Sequence, residues 1–306
     1  MSQTGGQSHA YPLWLTHGCM LLSAFLVSTS FTVGKAITPF MDPVVLTLVR
    51  FLLATLLFTP YIVRKFGFAY PDPIALIRYS LISAVLVGFF WLMFLSLRIT
   101  NPLNTGVIFT TVPGISGLYS WFLLREQLGK YRILALLFAM SGALWVIFEG
   151  DMQRLLRMQL NLGDLLFFAG CLMMALYMPL VKLLHRGEPM AVMTYWILVT
   201  GSLWLLLFAC TKLPTTPWAS IPSKVWLGIA YLALFTTIIT FFISQWATLR
   251  LGPTRVMAYS YLYPPLIVLI EWVLHHEIPP LKTMVGLLII LPAMVIVQQG
   301  NGGTTR

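Results

Sequence analysis

Apolar runs of about 20 residues alternate along the chain with short polar breaks, and about 20 residues is what a helix needs to cross some 30 Å of hydrocarbon. The first run extends from Leu13 to Val33 and ends at Lys35; Asp42-Pro43 opens a second, to about Val63, with Arg50 inside it. After the polar stretch Arg64 to Pro73 a third run ends near Arg98. The turn signal Asn101-Pro102 then precedes a fourth, which reaches Leu124. The charged segment Arg125 to Arg132 leads to a fifth, ending near Phe148, and residues 149–163 form the longest polar connector. The sixth run is Asp164 to Leu184; Glu188-Pro189 opens the seventh, to about Cys210. A proline-containing loop, Leu213 to Pro222, precedes the eighth, which ends near Arg250. The ninth is Thr254 to Leu274 and the tenth Leu281 to Val297. The runs are continuous, whereas strands of a membrane barrel alternate apolar and polar positions. In lipid the backbone must satisfy its own hydrogen bonds, so the pattern predicts an all-α polytopic membrane protein with ten transmembrane helices. The first run lacks a basic leader and a small-residue cleavage site, so it is read as a retained span.

The pattern is written twice. Pro102 and Pro253, Pro113 and Pro264, and Glu126 and Glu277 share one offset, 151 residues (253 − 102, 264 − 113, 277 − 126). A second set of landmarks agrees: Lys35 precedes Asp42-Pro43 as Lys182 precedes Glu188-Pro189. A fixed-offset match of prolines and an acid across apolar sequence is a repeat signal. The reading is a five-helix unit over residues 1–148, a connector over 149–163 and a second five-helix unit over 164–306. Five is odd, so the second unit enters the membrane from the opposite side, and the fold expected is two inverted five-helix repeats.

Composition narrows the class. Only 9% of the 306 residues are charged, 58% are hydrophobic and the mean hydropathy is +0.86; a soluble chain carries about 25% charged residues. The net charge of +10 is scattered over loops with no basic stripe, which argues against a nucleic-acid partner and for topology. With the N-terminus in the cytoplasm, eleven basic residues fall inside against seven outside, so both termini are expected inside. Cys19, Cys171 and Cys210 all lie in apolar runs, at no metal-ligand spacing, and are read as packing residues. His275-His276-Glu277 has no accompanying ligand cluster, so no metal is expected, and nothing in the sequence calls for a cofactor.

At this point the sequence resembles a known family. GDLLFFAGCLMMALYMPLVKLL (Gly163 to Leu184) is similar to the opening of the second repeat in EamA-type transporters of the drug/metabolite transporter superfamily. AYSYLYPPLIVLIEWVLHHE (Ala258 to Glu277) resembles that family's ninth helix, with a central proline and a terminal acid; Pro113 to Glu126 matches the fourth-helix copy. Asp42-Pro43 with Arg50-Phe51 resembles the start of the second helix. The family usually carries Gly before the terminal Glu, where this chain has Arg125 and His276, so the two turns are expected to be shaped differently. The resemblance covers nearly all of the chain. It implies a ten-helix carrier of the bacterial inner membrane that exports or exchanges amino acids, metabolites or drugs through a cavity lined by helices 1, 3, 4, 6, 8 and 9.

Individual residues take their candidate roles from this frame. Trp91, Tyr177, Gln245, Tyr259 and Tyr261 sit on spans that the resemblance assigns to the substrate cavity, and aromatic rings with a polar tip suit a small-molecule pocket. The same residue types also pack helices or form interfacial belts. Pro113 and Pro264, near mid-span, are candidate hinges or static kinks. Glu126 and Glu277 end their helices, where the helix dipole disfavours a carboxylate, so each needs a compensating partner. Arg50 and Glu271 are ionisable groups inside spans and hence candidates for coupling or for structural pairing. No phosphate-binding G-x-x-x-x-G-K-[ST] motif occurs, which argues against ATP-driven transport by this chain. The function expected is secondary transport by alternating access. Proton coupling is left open, because few carboxylates lie deep in the spans. The alternative is a multi-span membrane enzyme acting on a lipid-linked substrate. Its candidates, Asp151, Arg154 and Arg157 in the connector, form no recognisable constellation.

Overall fold

The computed structural model describes residues 12–299, except 68–69, 97, 101, 128, 149–150, 152, 154–155, 158–159 and 276–280. Among the described residues ten helical spans follow one another: α1 (Leu13–Ile37), α2 (Pro43–Phe66), α3 (Pro73–Ser96), α4 in two pieces (Pro102–Phe109 and Val112–Leu124) and α5 (Lys130–Ile147). After the connector come α6 (Leu162–Leu184), α7 (Met190–Ala209) and α8 (Ser223–Ala233, a π-helical segment Leu234–Ile239, and Thr240–Leu251). The last two are α9 (Pro253–Ala258, a 3-10 turn Tyr259–Leu262, and Tyr263–His275) and α10 (Leu281–Gln299). Among the described residues there is no strand, and nine spans are long and apolar enough to cross a bilayer; in α10 the apolar stretch is the shorter Val285–Gln299. Leucines and phenylalanines such as Leu56, Phe122 and Leu288 stand exposed around the bundle. A soluble surface would not tolerate so broad an apolar face, whereas acyl chains cover it at no cost. The protein is a multi-pass membrane protein.

Local chemistry sets the helix starts. The Asp42 side chain accepts from Val44 N at 3.0 Å and Pro43 takes the first turn of α2, where its missing N–H is no loss. α6 begins two residues before Asp164. Asn161 is its N-cap and accepts from Asp164 N, while Asp164 Oδ2 accepts from Asn161 N, a reciprocal capping box. The charge at 164 thus belongs to the first turn and not to the helix boundary, and α6 starts inside the segment read as connector. Gly67 (φ 73°) and Gly252 (φ 91°) end α2 and α8 in backbone conformations open to glycine.

Without a hydrophobic drive between helices in lipid, close approach and interhelical hydrogen bonds hold the bundle. α5 and α10 touch through Gly142 and Gly286: a Cβ on Gly286 would come within 2.7 Å of the Gly142 carbonyl. Hydroxyls tie α3 to α7 (Ser83–Thr200, 2.9 Å), α2 to α7 (Thr59–Tyr195, 3.2 Å) and α1 to α8 (Thr29–Tyr231, 2.7 Å). α3 lies on α6 and α7; α1 lies on α8 and α9; α2 contacts α7 and α8; α4 contacts α6 and α9.

Candidate functional site

α4 and α9 pack on one another, and each is broken along its length. Thr110-Thr111 interrupts α4, and Pro113 sits in the first turn of the piece that follows; the 3-10 turn interrupts α9, and Pro264 is the second residue of its last piece. A proline in a first helical turn loses no hydrogen bond and forbids the preceding turn from continuing as regular helix. Pro60, Pro179 and Pro292 differ, since each lies inside a continuous helix. The C-terminal piece of α4 packs on the first segment of α9. At the other end, the first piece of α4 packs on α5 and α6, and the last piece of α9 packs on α1 and α5.

At the level of the breaks, aromatic rings run from helix to helix. Phe31 of α1 meets Tyr263 of α9 at 6.5 Å between centroids, and Tyr263 stacks on Phe109 of α4 at 6.5 Å. Phe109 meets Phe89 of α3 at 6.0 Å, and the neighbouring Phe90 meets Phe51 of α2 edge-on at 6.1 Å. Phe51 reaches Phe241 of α8 at 5.9 Å, and Phe241 reaches Tyr177 of α6 at 6.4 Å. Phe90, Phe109, Phe241 and Tyr263 are only partly buried, whereas Phe51 is enclosed. None of these four open rings stands out in the sequence, because their neighbours are equally apolar; the break beside Phe109 and Tyr263, marked by the prolines, is the one available signal.

Tyr177 and Gln245 are brought together, as the sequence places them on cavity spans, and they spend their polar atoms on each other. Gln245 Nε2 donates to Tyr177 Oη at 2.8 Å, and its Oε1 accepts from Thr194 Oγ1 at 2.7 Å. Tyr177 is 1% exposed and Gln245 0%, so the triad knits α6, α7 and α8 with no polar atom of the glutamine unspent. Tyr259 and Tyr261 are also buried, in the 3-10 turn of α9, and Tyr259 Oη pairs with His17 Nδ1 at 2.7 Å. Trp91 is apart from this group: it is 40% exposed and stacks on Phe208 of α7 at 5.1 Å.

The charges fall into two places. Arg50 donates through Nε to Thr237 Oγ1 (2.5 Å) and through one Nη to Thr236 O (2.8 Å) and Thr236 Oγ1 (3.1 Å). These acceptors lie in the π-helical segment of α8, where the widened turn displaces the regular i to i−4 bonds. The Thr237 hydroxyl bonds back five residues, to Leu232 O. Such π-turns recur at functional positions in helices. Among the described residues Arg50 is in no ion pair with a carboxylate. Glu271 accepts from Thr32 Oγ1 at 3.0 Å and so ties α9 to α1.

The second place is the end where α4 and α9 meet. Arg125 caps α4 in the left-handed conformation (φ 54°), the geometry that glycine supplies more easily. Glu126 then finds the partners that its position at a helix end requires: Arg132 Nη1 at 3.5 Å and Thr254 Oγ1 at 3.5 Å. Gly252 lies directly against its carboxylate. The equivalent turn at Glu277 lies outside the described residues.

This arrangement has relatives. The profile of the EamA-like transporter family matches residues 14–148 and 161–298. "Uncharacterized transporter YyaM" of Bacillus subtilis (strain 168) is 26% identical over 205 residues, 67% of each chain. An "Uncharacterized transporter" of Archaeoglobus fulgidus is 21% identical over 282 residues, 92% of this chain and 96% of the relative. A crystal structure of another protein superposes with a TM-score of 0.75 over 93% of this chain and 97% of the other at 18% identity, which speaks to the fold alone. With the family's profile matching both halves of the sequence, the chain belongs to the EamA-like transporter family.

Proposed function

We propose that the protein is a secondary carrier that exports or exchanges small organic solutes, amino acids or drug-like compounds, by alternating access between two inverted five-helix repeats. The observation that carries this reading is the pair of broken helices, α4 and α9: they pack closely at one end of the bundle, whereas beyond the breaks α4 turns mainly to α6 and α9 mainly to α1, with α5 and the Phe109–Tyr263 contact between them. The helix contacts support the repeat. α1–α8 answers α3–α6, α1–α9 answers α4–α6, and α2–α8 answers α3–α7, as an exchange of the first five helices with the last five requires. α6 also contacts α8 and α9, whereas among the described residues no contact of comparable extent joins α1 to α3 or α4. That asymmetry is what a carrier closed at one end and open at the other displays. With both termini cytoplasmic in a bacterial inner membrane, the closed end faces the cytoplasm.

Within this reading the substrate lies at the midplane against Phe90, Phe109, Phe241 and Tyr263. Tyr177, Gln245, Tyr259 and Tyr261 form the wall behind them. Rings in this number bind an apolar or aromatic body by stacking and area burial. Arg50 of α2, docked on the π-turn of α8, and Glu271 on α9 are the intramembrane charges available for coupling, and the prolines serve as hinges. Thermal unfolding of the purified protein against a panel of amino acids, nucleosides, sugars, cationic drugs and lipid-linked substrates tests the reading, since a ligand of the folded state raises the midpoint with concentration. Aromatic or apolar solutes should raise it, Tyr263→Ala should reduce the response, and Trp91→Ala should not. A response confined to lipid-linked substrates would favour the membrane enzyme instead.

A further inference from the structure

We propose that Arg255 and Arg132 hold an oxyanion, a carboxylate or phosphate group, at the end of the bundle where α4 and α9 meet. Arg255 stands at the start of α9 and is 7% exposed. Its Nε and Nη2 have no hydrogen-bond partner among the described residues, and neither has Nε of Arg132. Nε–H and Nη2–H lie on one edge of the guanidinium plane, and that edge takes the two oxygens of a carboxylate or phosphate side by side. A complete fork is therefore buried and unused.

The charges around it do not balance. Arg255 feels the like charge of Arg132 and the opposite charge of Glu126, and His17 in turn feels Arg255. Among the described residues two guanidinium groups thus share one acid, and that acid is within ion-pair distance of Arg132 alone, at 3.5 Å. Gln298 sends its amide nitrogen to the Arg255 carbonyl at 3.2 Å and leaves Oε1 unpartnered, but a neutral acceptor does not neutralise a cation. Arg50 meets its burial with hydroxyl and carbonyl acceptors, whereas this edge of Arg255 has no acceptor among the described residues; beside a second guanidinium, an oxyanion supplies both the two acceptors and the missing charge.

The other half of the molecule shows where that partner belongs. The 151-residue offset sets Arg255 against Asn104, and the offset between Lys35 and Lys182, 147 residues (182 − 35), sets His17 against Asp164. Asn104 Nδ2 donates to Asp164 Oδ2 at 2.9 Å, and that carboxylate is 2% exposed. Its counterpart, His17, has no acid to offer and turns Nδ1 to Tyr259. Where the α4–α6 pair sets an amide against a carboxylate, the corresponding α9–α1 pair sets a guanidinium within electrostatic reach of an imidazole. This comparison rests on the repeat reading above; the unused fork of Arg255 does not. An oxyanion seated here stands in for the Asp164 carboxylate and ties the start of α9 to the α4–α5 turn.

The test is a binding measurement that needs no transported substrate. Full-length protein in phosphatidylcholine nanodiscs is unfolded thermally in sodium phosphate, sodium acetate or sodium chloride at matched ionic strength, and again in nanodiscs containing phosphatidylglycerol. A saturable rise with phosphate or acetate over chloride identifies a soluble oxyanion; a rise confined to the anionic lipid identifies a headgroup. Either response should vanish in Arg255→Gln. His17→Glu guards against an Arg255 variant that does not fold. By supplying a carboxylate of similar reach it should raise the midpoint without added anion and abolish the response. Equal midpoints in all media with no gain in His17→Glu, or a response that persists in both variants, overturns the proposal.

Discussion

Gln245 shows what a single polar side chain can be read to do. A lone amide in an apolar span needs partners, and that much is legible in the sequence. That both partners are protein, Tyr177 and Thr194, is not, because nothing in the spacing says which faces of α6, α7 and α8 meet. Interhelical hydrogen bonds in membranes are worth about 0.6 kcal/mol each on average, and Gln245 makes two. Gln245→Leu should therefore destabilise the fold by on the order of 1 kcal/mol, read as a lower thermal midpoint. Glu188, in the loop between α6 and α7, behaves differently. Burial pushes its carboxyl up, but the backbone N–H groups around it, Arg186 N at 2.7 Å among them, and the charges of His185 and Arg78 outweigh that and hold it below the ordinary carboxylate value. A carboxyl depressed by folding adds stability that is present in full above its unfolded value and lost as pH falls through the folded one. Acid titration of the thermal midpoint should show that loss below the ordinary carboxylate range, and Glu188→Gln should remove it.

At the scale of the element, the breaks in α4 and α9 were legible from Pro113 and Pro264, because a proline fixes where a regular turn cannot continue. The π-turn in α8 was not. It is built from Thr236 and Thr237, residues that stand in ordinary helices as readily, and it is matched to Arg50 from another helix. Arg50 was legible as an odd charge; its acceptors became visible only when α2 and α8 were seen side by side. Pro264 opens its helical piece and breaks no hydrogen bond there, so Pro264→Ala should lower the thermal midpoint only slightly, through the freedom it returns to the unfolded chain. If the break is a hinge, the same substitution slows turnover; an unaltered rate would make it a static kink. Together with Pro113→Ala, this comparison separates mobility from packing, since both quantities are measured on one preparation.

For the whole molecule, the duplicated landmarks and the charge count carried the expectation of ten helices in two units, and the helical spans and the family profile agree on a polytopic transporter. The close packing of α4 on α9 at one end was beyond the sequence, because the spacing of prolines along a chain does not say which helix ends meet. Nor does the sequence separate rings that line a cavity from rings that fill a core; Trp91 and Tyr177 are the same kind of signal until their surroundings are known. The measurement that bears most directly on the account is counterflow in proteoliposomes. Vesicles are loaded with one aromatic or apolar solute at high concentration, and uptake of its labelled form is followed without ATP. A secondary carrier that alternates between two faces predicts saturable, transient accumulation of label with at least one solute that shifts the thermal midpoint. Folded protein that binds such a solute yet gives no counterflow would contradict it.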